Sequence, residues 1–382
     1  MAADVFHRTA YAEQMAQQLL QPSPLHLNVR SGVLLSGIRR MGKTTFLRQD
    51  LVPALEARGA LVVYVDLWAD RSKSPAALVM DAVRATLREL QTPGSGLLQR
   101  LKGLNLGALG LSLGFQVEHL GQPQGVTLAQ AFSELVARTG RDVVLIVDEV
   151  QQALGTEDGS SLLHALKAAR DAVNARPGTP GYFLFLGTGS HKSLITDMAT
   201  RHSQPFTGAL TTAYAPLGRD FVEWQLARIG RTAGAVLPSA DAAWAGFQAL
   251  GHRPEELLRA LVQLQSAPAP ADAAFAIICA TLASAAADVE LRAIEDLGVL
   301  GQAVFDHIAQ AEEGGVSGLF GEEALARYAA RIGAPVSASQ VQKLAEKLIS
   351  ANLVVRPGHG VYAVADPFVR HVWRERVQLL SQ

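Results

Sequence analysis

The chain has 382 residues, 49% of them hydrophobic and 18% charged, with a formal net charge of −1. Its length sets a prior of roughly two to three domains, its apolar content excludes a disordered polyelectrolyte, and its near-zero charge excludes a global electrostatic pull toward nucleic acid or an anionic membrane. The single cysteine, Cys279, excludes an intramolecular disulfide framework and suits a reducing cytoplasm.

Residues 1–20 hold acidic and amide side chains and no long apolar core, so no signal peptide is expected. No stretch of ~18 uninterrupted apolar residues points to a transmembrane helix. Val5-Phe6-His7-Arg8 reads as a lead-in segment packed on a sheet, with a nucleotide contact as the alternative. Ala10 to Leu20 has helical spacing and stops at Gln21-Pro22-Ser23-Pro24.

The run Val33-Leu34-Leu35 predicts a strand, and it leads into Gly37-Ile38-Arg39-Arg40-Met41-Gly42-Lys43-Thr44-Thr45. This is the phosphate-loop pattern G-x4-G-K-[ST], placed between a strand and a helix-compatible stretch. The glycines let successive backbone N–H groups turn toward a phosphate. The N-terminus of the following helix adds its dipole. In such a loop Lys43 reaches the β- and γ-phosphates and the Thr44 hydroxyl ligates Mg2+. Arg39 and Arg40 face phosphate, a neighbouring subunit or solvent; the sequence leaves these open.

Leu61 to Asp66 is a β-branched run of the kind a buried parallel strand requires. Pro75 to Leu90 is helical. Between residues 97 and 122, Leu109, Leu111, Leu113, Phe115 and Val117 alternate with small or polar residues, which predicts an inserted strand or hairpin folded onto the domain surface, with a membrane-touching or partner-binding hairpin as the alternative. Leu128 to Thr139 is helical.

Val143 to Val147 predicts a central strand ending in Asp148-Glu149. Ligands of open α/β sheets bind at that end of the strands. Asp148 is the candidate metal carboxylate opposite Thr44, and Glu149 the candidate base for an attacking water. Ser160 to Asn174 is helical, with Ser160 or Ser161 as N-cap. Tyr182 to Leu186 is another buried strand, ending in Gly187-Thr188-Gly189-Ser190; Thr188, and after it Ser190, is placed to hydrogen-bond the water or the γ-phosphate, with a turn role as the alternative. Ser193 to Met198 forms a short helix, residues 209–217 an edge strand, and Asp220 to Ile229 a helix.

From about residue 230 the pattern turns alanine-rich and helical, with Ala242 to Leu250, Glu255 to Leu264 and Ala271 to Ala287 broken by Gly251-His252-Arg253-Pro254 and a Pro-rich turn. Cys279 lies in an apolar run there and reads as a buried, inert thiol. Leu297 to Ala311, Gly321 to Ile332 and Ser337 to Ser350 follow as three helices, and Leu353 to Val364 as a hairpin. That order is a winged helix-turn-helix.

With these segments in place the chain resembles P-loop ATPases of the AAA+/STAND branch, specifically the archaeal-type ATPase group. The residues carrying the resemblance are Gly37 to Thr45, Ile146-Val147-Asp148-Glu149-Val150-Gln151, Gly187-Thr188-Gly189-Ser190, Gly251-His252-Arg253-Pro254 and Asp366-Pro367-Phe368. It implies an α/β fold of the P-loop NTPase (ASCE/AAA+-like) type, a parallel sheet flanked by helices, followed by a helical lid and a winged helix-turn-helix. The expected domains are an ATPase core over 1–228, a lid over 229–290 and the winged helix over 291–382.

The resemblance also implies site roles. Lys43 and Thr44 belong to Walker A, Asp148 and Glu149 to Walker B, and Thr188 takes the sensor position. Gly37, Ile38, Arg39, Arg40, Met41, Gly42 and Thr45 complete the nucleotide loop. Arg253 reaches phosphate or Pro254 packs near the adenine, and Arg201 is the candidate trans arginine or a surface residue. ATP and Mg2+ are the expected ligands. GTPases read guanine through Asn-Lys-x-Asp, which this sequence lacks.

Three functions follow as expectations: an ATPase switch working through a protein partner or self-assembly, a DNA-acting loader, or a nucleotide-dependent scaffold without turnover. Residues 291–382 hold nine Lys/Arg against ten Asp/Glu. DNA-binding modules usually carry a clear basic excess, so a protein contact is preferred for the winged helix, with duplex DNA through Lys343, Lys347, Arg356 and His359 as the alternative. No membrane partner is expected, and a cytoplasmic location is.

Overall fold

The structure is a computed structural model that describes residues 5–100, 116–117, 120–121, 125–201, 203–267, 270–312 and 314–380. The chain divides into two units. One comprises Met1–Gly37 and Gly42–Tyr214, the other Ile38–Met41 and Ala215–Gln382.

The first unit is built on a parallel sheet of β1 (Val33–Ser36), β2 (Leu61–Asp66), β3 (Val143–Asp148), β4 (Phe183–Gly189) and β5 (Leu210–Ala213), in the order β2-β3-β4-β1-β5. The central strands are continuous apolar runs because helices cover both faces; β3 is buried along its whole length. On one face, Val63, Val65, Leu145, Val147, Phe183 and Phe185 pack with helices Pro75–Gln91, Leu128–Thr139 and Glu157–Asn174. Phe132 stacks on Phe183 with ring centres 4.1 Å apart. On the N-terminal side, helix Thr9–Leu20 buries Ala12, Met15, Ala16 and Leu19 against the segment Val52–Ala57.

Register brings the chemistry together. Ser36 of β1 pairs with Gly189 of β4, and Asp66 of β2 with Asp148 of β3. The carboxyl ends of four strands therefore stand side by side. The sheet orders strands from distant parts of the chain, so residues in three separate motifs become neighbours.

Several boundaries differ from the sequence expectation. The helix after the phosphate loop is not uniform: Lys43–Phe46 is α-helical, Leu47–Leu51 is a π turn, and Val52–Ala57 is α-helical again. Pro53 has no N–H for the carbonyl one turn back, and a wider turn accommodates this. Helix Glu157–Asn174 begins earlier than expected and is capped by Thr156, whose side chain accepts from Gly159 N–H; Ser160 and Ser161 are inside it. Residues Gly96–Arg100 are helical, so the expected hairpin does not begin at residue 97. The alternating residues Leu109 to Phe115 lie outside the described residues. Leu120 bridges to Val126, and Val117 is buried in the first unit's core.

In the second unit, helices Arg219–Ile229, Ala240–Ala249 and Pro254–Leu264 form a small bundle with Ala271–Glu295. The last runs eight residues beyond the expected end at Ala287. It buries Phe275, Cys279, Leu282, Ala283, Ala287, Leu291 and Ile294 on one face. This helix is long and apolar enough to cross a membrane by length and composition, although Thr281 and Ser284 interrupt its apolar run. Burial pushes the Cys279 thiol up to about 12, as expected of an inert core cysteine.

The same helix packs on Gly298–Gln310 and Pro367–Leu380 of the C-terminal module. That module adds helices Glu322–Ile332 and Ala338–Ser350 and an antiparallel sheet of β6 (Val316–Ser317), β7 (Val354–Gly358) and β8 (Val361–Val364), ordered β6-β8-β7. Ser337 caps Ala338–Ser350 through a capping box with Gln340, as the sequence indicates. Strand β6 and helix Pro367–Leu380 were not expected. Helices Gly298–Gln310, Glu322–Ile332 and Ala338–Ser350 with the three-stranded wing make this a winged helix, and helix Pro367–Leu380 follows it.

Candidate functional site

The phosphate loop follows β1 directly. Gly37 N–H donates to Gly189 O at 3.0 Å, tying the loop's first residue to the end of β4. Gly42, at φ 81°, turns the chain into the helix in a left-handed conformation that glycine adopts without steric cost. Arg40 is also left-handed, at φ 65°. Arg39 and Arg40 are exposed, Ile38 is half-buried and Met41 is buried. Phe46 N–H closes the first helical turn on Gly42 O at 3.0 Å.

Lys43 is buried, and its ammonium lies 3.4 Å from Gly37 O and 3.6 Å from Glu149 Oε1. Thr44 Oγ1 donates to Asp148 Oδ2 at 2.6 Å. Thr45 is exposed on the same turn. Three elements thus converge: the loop, its helix and the end of β3.

Asp148 is fully buried and accepts four hydrogen bonds. Oδ2 takes Thr44 and, at 3.1 Å, the Tyr64 hydroxyl from β2. Oδ1 takes Thr188 Oγ1 from β4 and Glu149 N–H at 3.1 Å. Burying a carboxylate is costly unless its lone pairs are met, and here donors from four segments meet them. Thr188, itself fully buried, is brought to the site, where its hydroxyl is engaged by Asp148.

Glu149 takes a left-handed backbone conformation, φ 56°, at the turn into Val150–Ala153. A non-glycine residue there is uncommon and marks a place where the chain is held against preference. Its Oε2 accepts from Ser190 Oγ at 3.0 Å and from Gln151 Nε2, and Gln151 Nε2 also lies 3.3 Å from Ser190 Oγ. One carboxylate oxygen therefore faces Lys43 and the other is held by two polar side chains.

Charge crowding shows in the neighbours. Burial raises the Asp66 carboxyl above its usual range, and Asp148 and Glu149 add to this; the Trp68 N–H and Arg48 oppose it. Burial raises the Tyr64 hydroxyl as well, with Asp148 and Asp66 reinforcing the shift, so the phenol remains a donor.

Other sequence-predicted residues lie elsewhere. Arg201 follows helix Lys192–Thr200 and is exposed, with an ion pair to Asp197 at 2.7 Å. Arg253 and Pro254 belong to the second unit. Arg253 is buried, with Nη2 2.9 Å from Asp366 Oδ2 and its guanidinium 3.9 Å from the Phe368 ring centre. Pro254 opens helix Pro254–Leu264, where a missing N–H costs nothing. Gly251, at φ 66°, allows the turn before them; a Cβ there would come within 2.8 Å of Phe368 Cβ.

Sequence reading missed Tyr64 and gave Gln151, named in the Ile146 to Gln151 motif, no role of its own. Tyr64 looked like one more residue of a buried strand, and Gln151 entered only as the last residue of that motif. Asp366 was visible as part of Asp366-Pro367-Phe368, but nothing local gave its partner. The N-terminal segment packs as a lead-in: His7 Nδ1 and Arg8 N–H meet the buried Asp50 at 2.7 and 3.1 Å, and the Arg8 guanidinium lies over the Tyr11 and Tyr214 rings.

No protein-family model matches the chain, and no curated protein sequence matches it. Among solved structures, it is similar to the ORC2 protein of Aeropyrum pernix in its ADP form, with a TM-score of 0.56 at 15% identity, covering 100% of this chain and 96% of that one. The ADPNP–ADP complexes of the same protein match with a TM-score of 0.53 at 15% identity, covering 99% and 96%. Together with the sheet order and the wing, this shows that the chain has the fold of the ORC2 structures: a parallel α/β sheet, then a helical bundle and a C-terminal winged helix.

Proposed function

We propose that this protein binds and hydrolyses ATP with Mg2+ and works as a nucleotide-dependent switch of the AAA+/STAND type. The carrying observation is the convergence of Lys43, Thr44, Asp148 and Glu149 at the carboxyl ends of β1 and β3, the two strands that flank β4. The similar ORC2 structures are of ADP and ADPNP complexes, which supports an adenine nucleotide here.

The donor set fits the expected ligands. Mg2+ prefers oxygen and is commonly held by one or two protein groups plus substrate phosphates. Thr44 Oγ1 and Asp148 Oδ2, 2.6 Å apart, supply two such oxygens. When bound, the ion neutralises charge on the phosphate oxygens. The backbone of Gly37, Ile38, Arg39, Arg40, Met41, Gly42 and Thr45 cradles the phosphates, and Lys43 supplies the positive charge at the β- and γ-positions.

Glu149 accepts the proton of a water that attacks the γ-phosphorus, while the bond to the β-phosphate oxygen breaks and ADP leaves. Thr188 orients the Asp148 end of the site, with Ser190 holding Glu149. Arg253 and Arg201 are the candidate cis and trans arginines; each is ion-paired in this structure, so either role requires leaving Asp366 or Asp197.

The test is steady-state phosphate release by wild type and Glu149→Gln, with ATP binding measured on both. Binding by both and turnover only by wild type supports a hydrolysing switch. Binding with equally slow release in both supports the nucleotide-dependent scaffold. Absence of ATP binding overturns the proposal.

A second reading has its own observation. Lys343 and Lys347 are exposed four residues apart on helix Ala338–Ser350, and Arg356 and His359 are exposed on the wing. This supports a duplex-DNA contact despite the module's overall acidic excess. Binding to duplex at ~50 mM salt that weakens steeply as salt rises would favour it; no binding leaves a protein partner or self-assembly as the proposed target.

A further inference from the structure

Tyr64 occupies a position that the phosphate loop and the acidic pair do not account for. It sits on β2, two residues before the strand's end, beside Ile146 in register. Its side chain reaches Asp148, and its hydroxyl lies 3.1 Å from Oδ2. That is the same oxygen that accepts the Thr44 hydroxyl at 2.6 Å.

The two donors have different consequences. Thr44 Oγ1 is itself a candidate cation ligand, so its bond to Asp148 is part of the site. Tyr64 is an outer partner of that site. With Thr188 and Glu149 N–H on Oδ1, it completes a set of donors that fixes the carboxylate plane from both sides. Without Tyr64, Oδ2 keeps only the Thr44 bond, and rotation of the carboxylate away from Thr44 is opposed from one side alone.

A second tie strengthens the link. The guanidinium of Arg48 lies 5.5 Å from the Tyr64 ring centre. Arg48 is on the π turn that continues the helix bearing Thr44. Tyr64 therefore joins the helix that carries one cation-facing oxygen to the strand that carries the other.

We infer that Tyr64 is a positioning residue for the divalent-cation site: its hydroxyl sets how Asp148 presents Oδ2 beside Thr44, and so sets cation affinity without touching cation or phosphate. This rests on the Mg-ATP reading above. Outer-sphere partners of metal ligands typically contribute ~10–100-fold to metal affinity. Tyr64→Phe, which keeps the ring, isolates the hydroxyl.

The experiment uses full-length wild type, Tyr64→Phe and Arg48→Gln. A fluorescent ATP analogue is bound first in EDTA and then across a Mg2+ titration, and Mn2+ binding in the presence of ADP is followed by electron paramagnetic resonance. The expected result is unchanged nucleotide affinity in EDTA for Tyr64→Phe, with half-saturation by Mg2+ and Mn2+ shifted upward by about tenfold or more. Arg48→Gln, which retains the hydroxyl and removes only the ring contact, is expected to shift the cation curves by less than Tyr64→Phe does.

Cation curves for Tyr64→Phe that superimpose on wild type overturn the inference. So does an equal loss of affinity in EDTA and in Mg2+, which would make the hydroxyl a general support of the fold. A wild type that binds nucleotide with no response to either cation overturns the Mg2+ reading and this inference together. A responsive wild type with an unshifted variant overturns this inference alone.

Discussion

Lys43 and Glu149 form an ion pair, with Nζ 3.6 Å from Oε1, although they lie 106 residues apart in the chain. Lys43 is almost fully buried and Glu149 mostly so. On the proposed function, a phosphate entering the loop competes with Glu149 for the ammonium, and the carboxylate is then left to Ser190 and Gln151. Glu149→Gln is expected to bind ATP at least as tightly as wild type, because it removes that competitor. Its turnover is expected to fall by about 10²–10⁴-fold, the usual contribution of a positioned base. Lys43→Ala is expected to lose ATP binding. Nucleotide titrations beside phosphate-release assays check all three.

Thr188 lies fully buried with its hydroxyl on Asp148 Oδ1. Thr188→Val keeps the shape and removes the donor, so the variant is expected to lose about 1–3 kcal/mol of stability, the cost of an under-satisfied buried acceptor. Turnover is expected to fall with it. Thr188→Ser restores the hydroxyl and is expected to recover most of both. Denaturant unfolding and phosphate release on the three proteins make the comparison; a valine variant as stable and active as wild type contradicts it.

The buried pair Arg253–Asp366 joins the turn before helix Pro254–Leu264 to the start of the C-terminal helix. Arg253→Met leaves Asp366 uncompensated and is expected to cost about 3–5 kcal/mol. Burial, partly offset by Arg253, raises the Asp366 carboxyl above its usual 3.8. The folded state then holds this proton more strongly than the unfolded chain. Asp366's contribution to stability is complete below 3.8 and is lost as pH rises through the raised folded value. Asp366→Asn lacks this slope. Its stability relative to wild type is therefore expected to improve as pH rises through that window, read from denaturant midpoints across a pH series.

His307 has the opposite sign. Burial, with Arg327 nearby, lowers it from 6.5, while Asp306 and Glu323 oppose the shift; its Nδ1 lies 2.7 Å from the Tyr328 hydroxyl. The neutral ring is favoured in the folded state. Its contribution to stability is present above 6.5 and is lost as pH falls through the lowered folded value. Unfolding of wild type and His307→Gln, followed on either side of that window, is expected to show a shallower acid loss in the variant.

The sequence by itself determined the elements whose causes are local. Apolar runs marked β1 to β4, the glycine spacing and Lys43-Thr44 marked the phosphate loop, Asp148-Glu149 marked the end of the central strand, and Ser337 marked the start of a helix. Each depends on neighbours within a few residues, where periodicity, turn chemistry and capping act. The two-residue β6 is too short to show any period. The π turn over Leu47–Leu51 shows only as a proline within a helical pattern. Only the tertiary structure decided which side chains meet. Tyr64 reaches Asp148 because β2 and β3 pair in one register, and Gln151 reaches Glu149 and Ser190 because β3 and β4 end together. Arg253 finds Asp366 across 113 residues because helix Ala271–Glu295 packs against both segments' surroundings. Hydrogen bonds and ion pairs act over a few ångströms in space, and a linear pattern carries no distance between residues so far apart in the chain.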